Sequence, residues 1–195
     1  MVLNLHEKQG DFILSESVET FYISGVGSGK TFILALAAFI ALQKKGCVIL
    51  ICAPTTKTLR NSTLKQLSEA WNSIGFVNKR DYVINKQPPL SWNVPAFSNL
   101  SNTNILTSKY GAYAILDGLD NFDSHRGIAV DEIMIDEYRD VKAGAREVLL
   151  GRLRGKHHSE TNELHRIWYA TTPPTNPNYI RSIINGNSSE VKFVF

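Results

Sequence analysis

Residues 21–42 read FYISGVGSGKTFILALAAFIAL, and the reading of this stretch decides the fold. A short apolar run, Phe21-Tyr22-Ile23, enters Ser24-Gly25-Val26-Gly27-Ser28-Gly29-Lys30-Thr31, and a continuous apolar run leaves it. Strand, glycine-rich loop and helix in that order are the setting in which a Walker A phosphate loop is expected. Glycines at 25, 27 and 29 permit positive φ and close backbone approach, so successive N–H groups can converge on phosphate oxygens. The helix opening at Lys30 turns its positive end toward the same anion. Lys30 has the reach for β- and γ-phosphates, and the Thr31 hydroxyl can ligate Mg²⁺. Ser24 stands where the pattern G-x-x-x-x-G-K-[ST] has glycine. The bland alternative is a glycine-rich turn before a core helix; the Gly-Lys-Thr ending argues against it.

Working outward, 195 residues hold one α/β domain with a sizeable core. A net charge of +3 permits a polyanionic partner without requiring one. The apolar run 32–42 is well short of the ~20 residues of a membrane-spanning helix, and the first ten residues are not a targeting sequence. Cys47 and Cys52 lie an odd number of positions apart in one expected strand, so they face opposite sides of it and stay reduced.

Upstream, 5–16 reads as a short helix or turn. It carries Gln9, whose amide offers a donor and an acceptor to an adenine edge or merely to solvent. Downstream, basic residues and Gly46 mark the end of the long helix, and CVILICA (47–53) is a strand buried on both faces. Pro54-Thr55-Thr56 opens a helix through about Trp71 whose Lys57, Arg60 and Lys65 face either a DNA backbone or water. Residues 75–101 are expected to be irregular, and 103–107 with 112–116 to form a hairpin. Asp117, Asp120 and Asp123 lack calcium-loop spacing and read as solvated turns.

RGIAVDEIMIDE (126–137) carries an apolar run into Asp136-Glu137. This is a Walker B pattern: Asp136 at the end of a strand beside the phosphate-loop strand to hold Mg²⁺, and Glu137 to polarise water as general base. A helix is expected at 143–154. Histidines 157, 158 and 165 lack zinc-protease spacing and read as surface residues. RIWYA (166–170) is another buried strand ending in Thr171-Thr172, placed to sense a γ-phosphate. A short helix at 178–185 and a strand at 191–195 complete the chain.

SGVGSGKT, CVILICAPTTKTLRNSTLKQL, RGIAVDEIMIDEYRDV and ATTPPTNPNYI, in that order, resemble the ATPase domain of the large terminase subunit of tailed bacteriophages. The resemblance covers nearly the whole chain. It implies a RecA-like P-loop NTPase of the additional-strand, catalytic-glutamate class, with a mostly parallel central sheet and helices on both faces. It implies ATP and Mg²⁺ as ligands and hydrolysis that drives double-stranded DNA into a viral shell. The assembly would be a homo-oligomeric ring at the procapsid portal in the host cytoplasm, with portal protein and small terminase subunit as partners. On this resemblance residues 24–31 bind nucleotide, Asp136 binds metal, Glu137 activates water, Thr171 and Thr172 couple hydrolysis to movement, and Gln9 sits beside adenine. Residues 1–18 would be the adenine-side segment and 19–195 the P-loop core of a single domain. Two departures stand out. Val26 occupies the position of a phosphate-loop arginine, and there is no room for the nuclease domain such subunits usually carry, so an isolated ATPase domain is expected. The missing cation is then sought elsewhere: Arg139, Arg152 and Arg154 have simpler roles in reach, whereas Arg126 enters the Walker B strand from the end far from Glu137. It is badly placed for its own site and suited to a neighbour's in a ring. A helicase-like or other P-loop DNA translocase is the alternative reading, and a P-loop kinase a remoter one; a two-lobed helicase would not fit in 195 residues.

Overall fold

The computed structural model describes residues 3–97, 104–173 and 191–195. The helix expected at 178–185 lies outside them. Among the described residues an eight-stranded sheet has the order β3-β4-β5-β2-β6-β7-β1-β8. Its strands are β1 (Glu19–Ile23), β2 (Val48–Ala53), β3 (Tyr82–Ile84), β4 (Ile105–Ser108), β5 (Tyr113–Gly118), β6 (Glu132–Ile135), β7 (Arg166–Thr171) and β8 (Val191–Val194). The run from β5 to β8 is parallel throughout, and β3 and β4 add an antiparallel edge. The apolar runs read as central strands are indeed covered on both faces, as parallel sheets require.

One face carries α1 (Glu7–Ile13), α2 (Lys30–Ala41) and α4 (Leu64–Ser73), packed through Phe12, Ile33, Leu34, Leu67 and Trp71. The other carries α5 (Ala145–Leu150), packed through Ala145 and Leu149 against Phe21, Leu50, Ile133 and Tyr169. Side chains such as Leu34 and Ile33 are fully buried, each contributing about 1.5–3 kcal/mol of transfer free energy. That burial locks α2, and hence the loop feeding it, to the sheet. Cys47 and Cys52 belong to opposite faces and are both free, as expected.

Between β2 and α4 the chain makes α3 (Thr56–Thr58), capped by Thr55 Oγ1 accepting from the Thr58 amide at 3.0 Å, and then a π turn, Leu59–Thr63. Gly118 ends β5 where a Cβ would lie 2.0 Å from the Thr56 amide nitrogen, so only glycine lets that helix start approach the sheet.

Several expectations are corrected. The long helix stops at Ala41, before Lys44 and Lys45, which lie in the turn leading to Gly46. The helix expected at 143–154 is shorter, and a second one, α6 (Lys156–Thr161), follows it because Gly155 starts a new turn. Asp120 is not merely solvated, since its Oδ1 accepts from the Thr56 amide at 3.1 Å. The Walker B strand β6 is not beside β1: β7 lies between them, paired in parallel to both. That inserted strand is the additional strand of the class expected from the sequence. His158 is not a surface residue, being 1% exposed where α6 packs it against the amino end of the sheet. The hairpin forms as β4 and β5, with Ile105 opposite Ile115.

Candidate functional site

The site gathers at the carboxyl ends of the parallel strands, where α/β sheets bind ligands. Ser24 follows β1 and continues its pairing, its amide donating to the Thr171 carbonyl at 3.1 Å. The loop then uses two glycines in the left-handed region, Gly27 (φ +79°) and Gly29 (φ +80°). Gly25, expected to share that freedom, does not adopt positive φ. The serine in the first glycine position has a local use: Ser24 Oγ lies 2.6 Å from Ser28 Oγ, and Ser28 donates to the Gly25 carbonyl at 2.8 Å. These bonds close the loop on itself. Val26 projects at its tip, 95% exposed.

Lys30 opens α2 and is nearly buried, its Nζ donating to the carbonyls of Ser24 (3.1 Å) and Gly25 (2.7 Å). The ammonium is thus held inside the curl of the loop. Gln9 of α1 reaches the same loop: a Cβ at Gly29 would lie 2.8 Å from Gln9 Nε2. Its Oε1 accepts from the His6 amide at 3.4 Å, so one end of the side chain is tied to its own helix.

From the next strands come the acidic groups. Asp136 follows β6 and is 3% exposed, and Thr63 Oγ1 donates to its Oδ2 at 2.8 Å. Burial raises the Asp136 carboxyl above the usual range; the Thr63 bond opposes this, as does the Lys30 charge, whereas neighbouring Glu137 adds to it. Glu137 sits in the left-handed region at φ +50°, uncommon for a residue with a Cβ and a form of strain that gathers at functional sites. The chain reverses there into a 3-10 turn, Tyr138–Asp140. Thr171 ends β7; its Oγ1 accepts from the Arg139 amide at 3.0 Å and donates to the Thr172 carbonyl at 3.0 Å. The β7 terminus is thereby tied to the turn after Glu137.

An open cleft of about 500 Å³ joins these parts, lined by Gly27, Gly29, Lys30, Thr31, Glu137 and Thr172 among others. Asp136 Oδ1, Glu137 Oε2 and Thr172 Oγ1 are buried there or beside it without a hydrogen-bond partner. Buried polar atoms are rarely left unpaired, and these three lie together at the carboxyl ends of the strands. Hard oxygen donors from Asp136 and Thr31 fit Mg²⁺.

Arg126 does not join this cleft. It is exposed in the 3-10 turn Phe122–Gly127 and pairs with Asp123 at 2.9 Å. The helix read through about Trp71 forms as α4, but sequence reading missed the π turn before it and what the helix gives the cleft: Gln66 and Glu69 line the cleft, and Thr63 holds Asp136. The basic residues of this helix drew attention to its exposed side; the one signal pointing inward was Thr63 falling in line with the apolar Leu67 and Trp71.

Comparison with known proteins agrees with this geometry. The family model described as terminase large subunit, T4likevirus-type, N-terminal, matches residues 21–193. No curated protein sequence matches the chain. Among solved structures, the large terminase of a thermophilic bacteriophage in complex with ATP-γ-S matches with TM-score 0.63 and 14% identity over 96% of this chain and 43% of that one. The ATPase domain of the Thermus phage P74-26 large terminase matches with TM-score 0.56 and 14% identity over 97% and 80%. The N-terminal domain of the DNA packaging ATPase from bacteriophage phi29 gives 0.56 and 12% over 92% and 90%. The chain spans less than half the length of the thermophilic-phage terminase it matches. Glycine-rich loop, inserted strand and paired acids fall where the family match runs, and the chain belongs to the family of terminase large subunit N-terminal domains, T4likevirus-type.

Proposed function

We propose that this domain hydrolyses ATP with Mg²⁺ and uses the cycle, as part of a homo-oligomeric ring at a procapsid portal, to drive double-stranded DNA into a viral shell. One observation carries the reading: Asp136 and Glu137, adjacent in sequence, each bury a carboxylate oxygen without a partner at the end of the cleft that Lys30 and Thr31 line. The amides of residues 25–31 would cradle the phosphates, and Lys30 would exchange its two carbonyl partners for β- and γ-phosphate oxygens. Thr31 and Asp136 would hold Mg²⁺, which offsets charge on the phosphates. Glu137 would take the proton of the attacking water, its unpaired Oε2 being the acceptor. Thr172, also at the cleft, would report the state of the γ-phosphate to β7. Gln9, beside Gly29, would lie on the nucleoside side.

Arg126 would serve the neighbouring subunit. Its present partner, Asp123, is an exposed i,i+3 contact, and such pairs hold a side chain weakly. Portal protein and small terminase subunit are the assembly partners this reading implies.

The test measures ATP turnover with and without double-stranded DNA, together with nucleotide binding. In Glu137→Gln, turnover should fall by about 10²–10⁴ while ATP affinity holds. Affinity lost in step with rate would assign Glu137 to binding instead. In assembled rings, mixing Glu137→Gln with Arg126→Ala subunits should restore part of the turnover that each lacks alone. No recovery would return Arg126 to its partner Asp123.

A further inference from the structure

We infer that Thr63 is a positioning residue for the metal carboxylate: its hydroxyl clamps one oxygen of Asp136 so that the other is the one presented to Mg²⁺. The inference rests on the assignment of Asp136 as a metal ligand. Thr63 is fully buried, and its Oγ1 donates to Asp136 Oδ2 at 2.8 Å across 73 residues of sequence. The two carboxylate oxygens are therefore unlike: Oδ2 is engaged, and Oδ1 is buried without a partner. A hydrogen bond to one oxygen fixes the rotation of the carboxyl plane, which otherwise turns over a broad range. Removing a group that orients a metal ligand in this way typically costs about 10–100-fold in metal affinity.

The backbone under Thr63 is unusual. Residues 59–63 form the π turn between α3 and α4, with i→i+5 hydrogen bonding in place of i→i+4. Such turns are rare and are found frequently at functional sites. On a helix a slip of one residue rotates a side chain by about 100°. The π turn therefore selects which side chain meets Asp136. Ser62, the other hydroxyl in reach by sequence, is exposed and accepts from Gln66 Nε2 at 3.0 Å instead. Leu64 packs toward the apolar cluster around α2. A few residues on, the same helix supplies Gln66, Glu69 and Ala70 to the cleft wall, so clamp and wall are one rigid piece.

A purely structural threonine would be indifferent to Mg²⁺, which separates the two roles. The experiment titrates Mg²⁺ against a fluorescent ATP analogue bound to the full chain, alongside Mn²⁺ binding followed by EPR and thermal melting. Thr63→Val, which keeps the shape and removes the hydroxyl, should raise the Mg²⁺ midpoint about tenfold or more. Nucleotide affinity in EDTA should stay within twofold, and Thr63→Ser should restore the wild-type midpoint. A folded Thr63→Val with an unchanged midpoint, or a Thr63→Ser as defective as Val, overturns the inference. If Thr63→Val does not fold, Thr63→Ala is read by the same criteria. Asp136→Asn separates this result from the underlying assignment. Loss of Mg²⁺ response in Asp136→Asn with none in Thr63→Val overturns only the clamp. A wild-type response in Asp136→Asn overturns the assignment of Asp136 itself.

Discussion

The two ends of the sheet both bury carboxylates, and they treat them in opposite ways. At the amino ends the acids are satisfied. Glu19, opening β1, takes both arms of the Arg146 guanidinium, Nε at 2.8 Å, and the Tyr169 hydroxyl at 2.6 Å. Asp131 accepts the amides of Val48 and His158, each at 2.8 Å. Glu132 accepts the Trp168 indole N–H at 2.7 Å and lies 3.6 Å from the Lys44 ammonium. At the carboxyl ends, Asp136 has a single side-chain donor and an orphaned oxygen, Glu137 an orphaned oxygen in a strained backbone. A buried charge is costly unless paired. The acids at one end of this sheet are therefore paired within the chain, whereas those at the other keep unpaired oxygens.

His158 is the least settled member of the amino end. His157, His158 and Glu163 bring ligand-type atoms within 4.8 Å of one another. Lys44, however, is bonded to Glu163 and close to Glu132, so the positive charge that this cluster requires is supplied by the chain itself. Both ring nitrogens of His158 are buried without a hydrogen-bond partner, and its nearest acids are Glu132 at 3.5 Å and Glu163 at 3.6 Å.

The contrast can be broken most forcefully through Glu19. Arg146→Ala leaves that carboxylate buried with only Tyr169, and breaking a buried pair costs on the order of 3 kcal/mol. A large drop in the melting temperature is expected, with Mg·ATP affinity of the folded protein unchanged. Loss of nucleotide binding in folded protein would show that the two ends are not separable.

At the other end the sign should reverse. Asp136→Asn removes a buried charge whose protonation burial favours, so the nucleotide-free protein should melt higher than wild type while losing its Mg²⁺ response. A folded-state carboxyl pKa raised above the unfolded value contributes stability at acid pH that is lost as pH rises through it. The advantage of asparagine should therefore grow from acid to neutral pH. An Asn variant that melts lower at neutral pH would mean that Asp136 is paired for stability after all.

The smallest effect concerns His158, whose pKa is pushed down to about 4, first by burial and then by the Lys44 charge. The unfolded chain takes up the proton near pH 6.5 and the folded one only near 4, so folding stability falls as pH drops through that window. His158→Gln should flatten the melting temperature between about pH 6.5 and 4. An unaltered slope would assign the acid sensitivity to other groups.

Much of this was legible because it is local. Strand, glycine-rich loop and helix follow from residues 21–42, and an apolar run ending in Asp136-Glu137 marks the end of a buried strand wherever that strand sits. Val26 was legible too, as a side chain in the loop with no cationic group to offer. The element ends were less so. Lys44 and Lys45 resembled a final helical turn, yet they follow Ala41 in the turn to Gly46. His158 read as surface because neither its neighbours nor its spacing reveals that α6 turns it toward Glu132.

By itself the sequence determined the central strands, the glycine-rich loop with the helix after it and the paired acids, because φ/ψ preference, side-chain period and glycine freedom act over a few residues. Tertiary structure decided which run is the inserted strand, placing β7 between β6 and β1. It also decided which carboxylates acquire partners: Glu19 finds Arg146 across 127 residues, and Asp136 finds Thr63 across 73. Those pairings depend on how two faces of a twisted sheet are covered, and no local pattern encodes which distant side chain fills the last gap beside a buried oxygen.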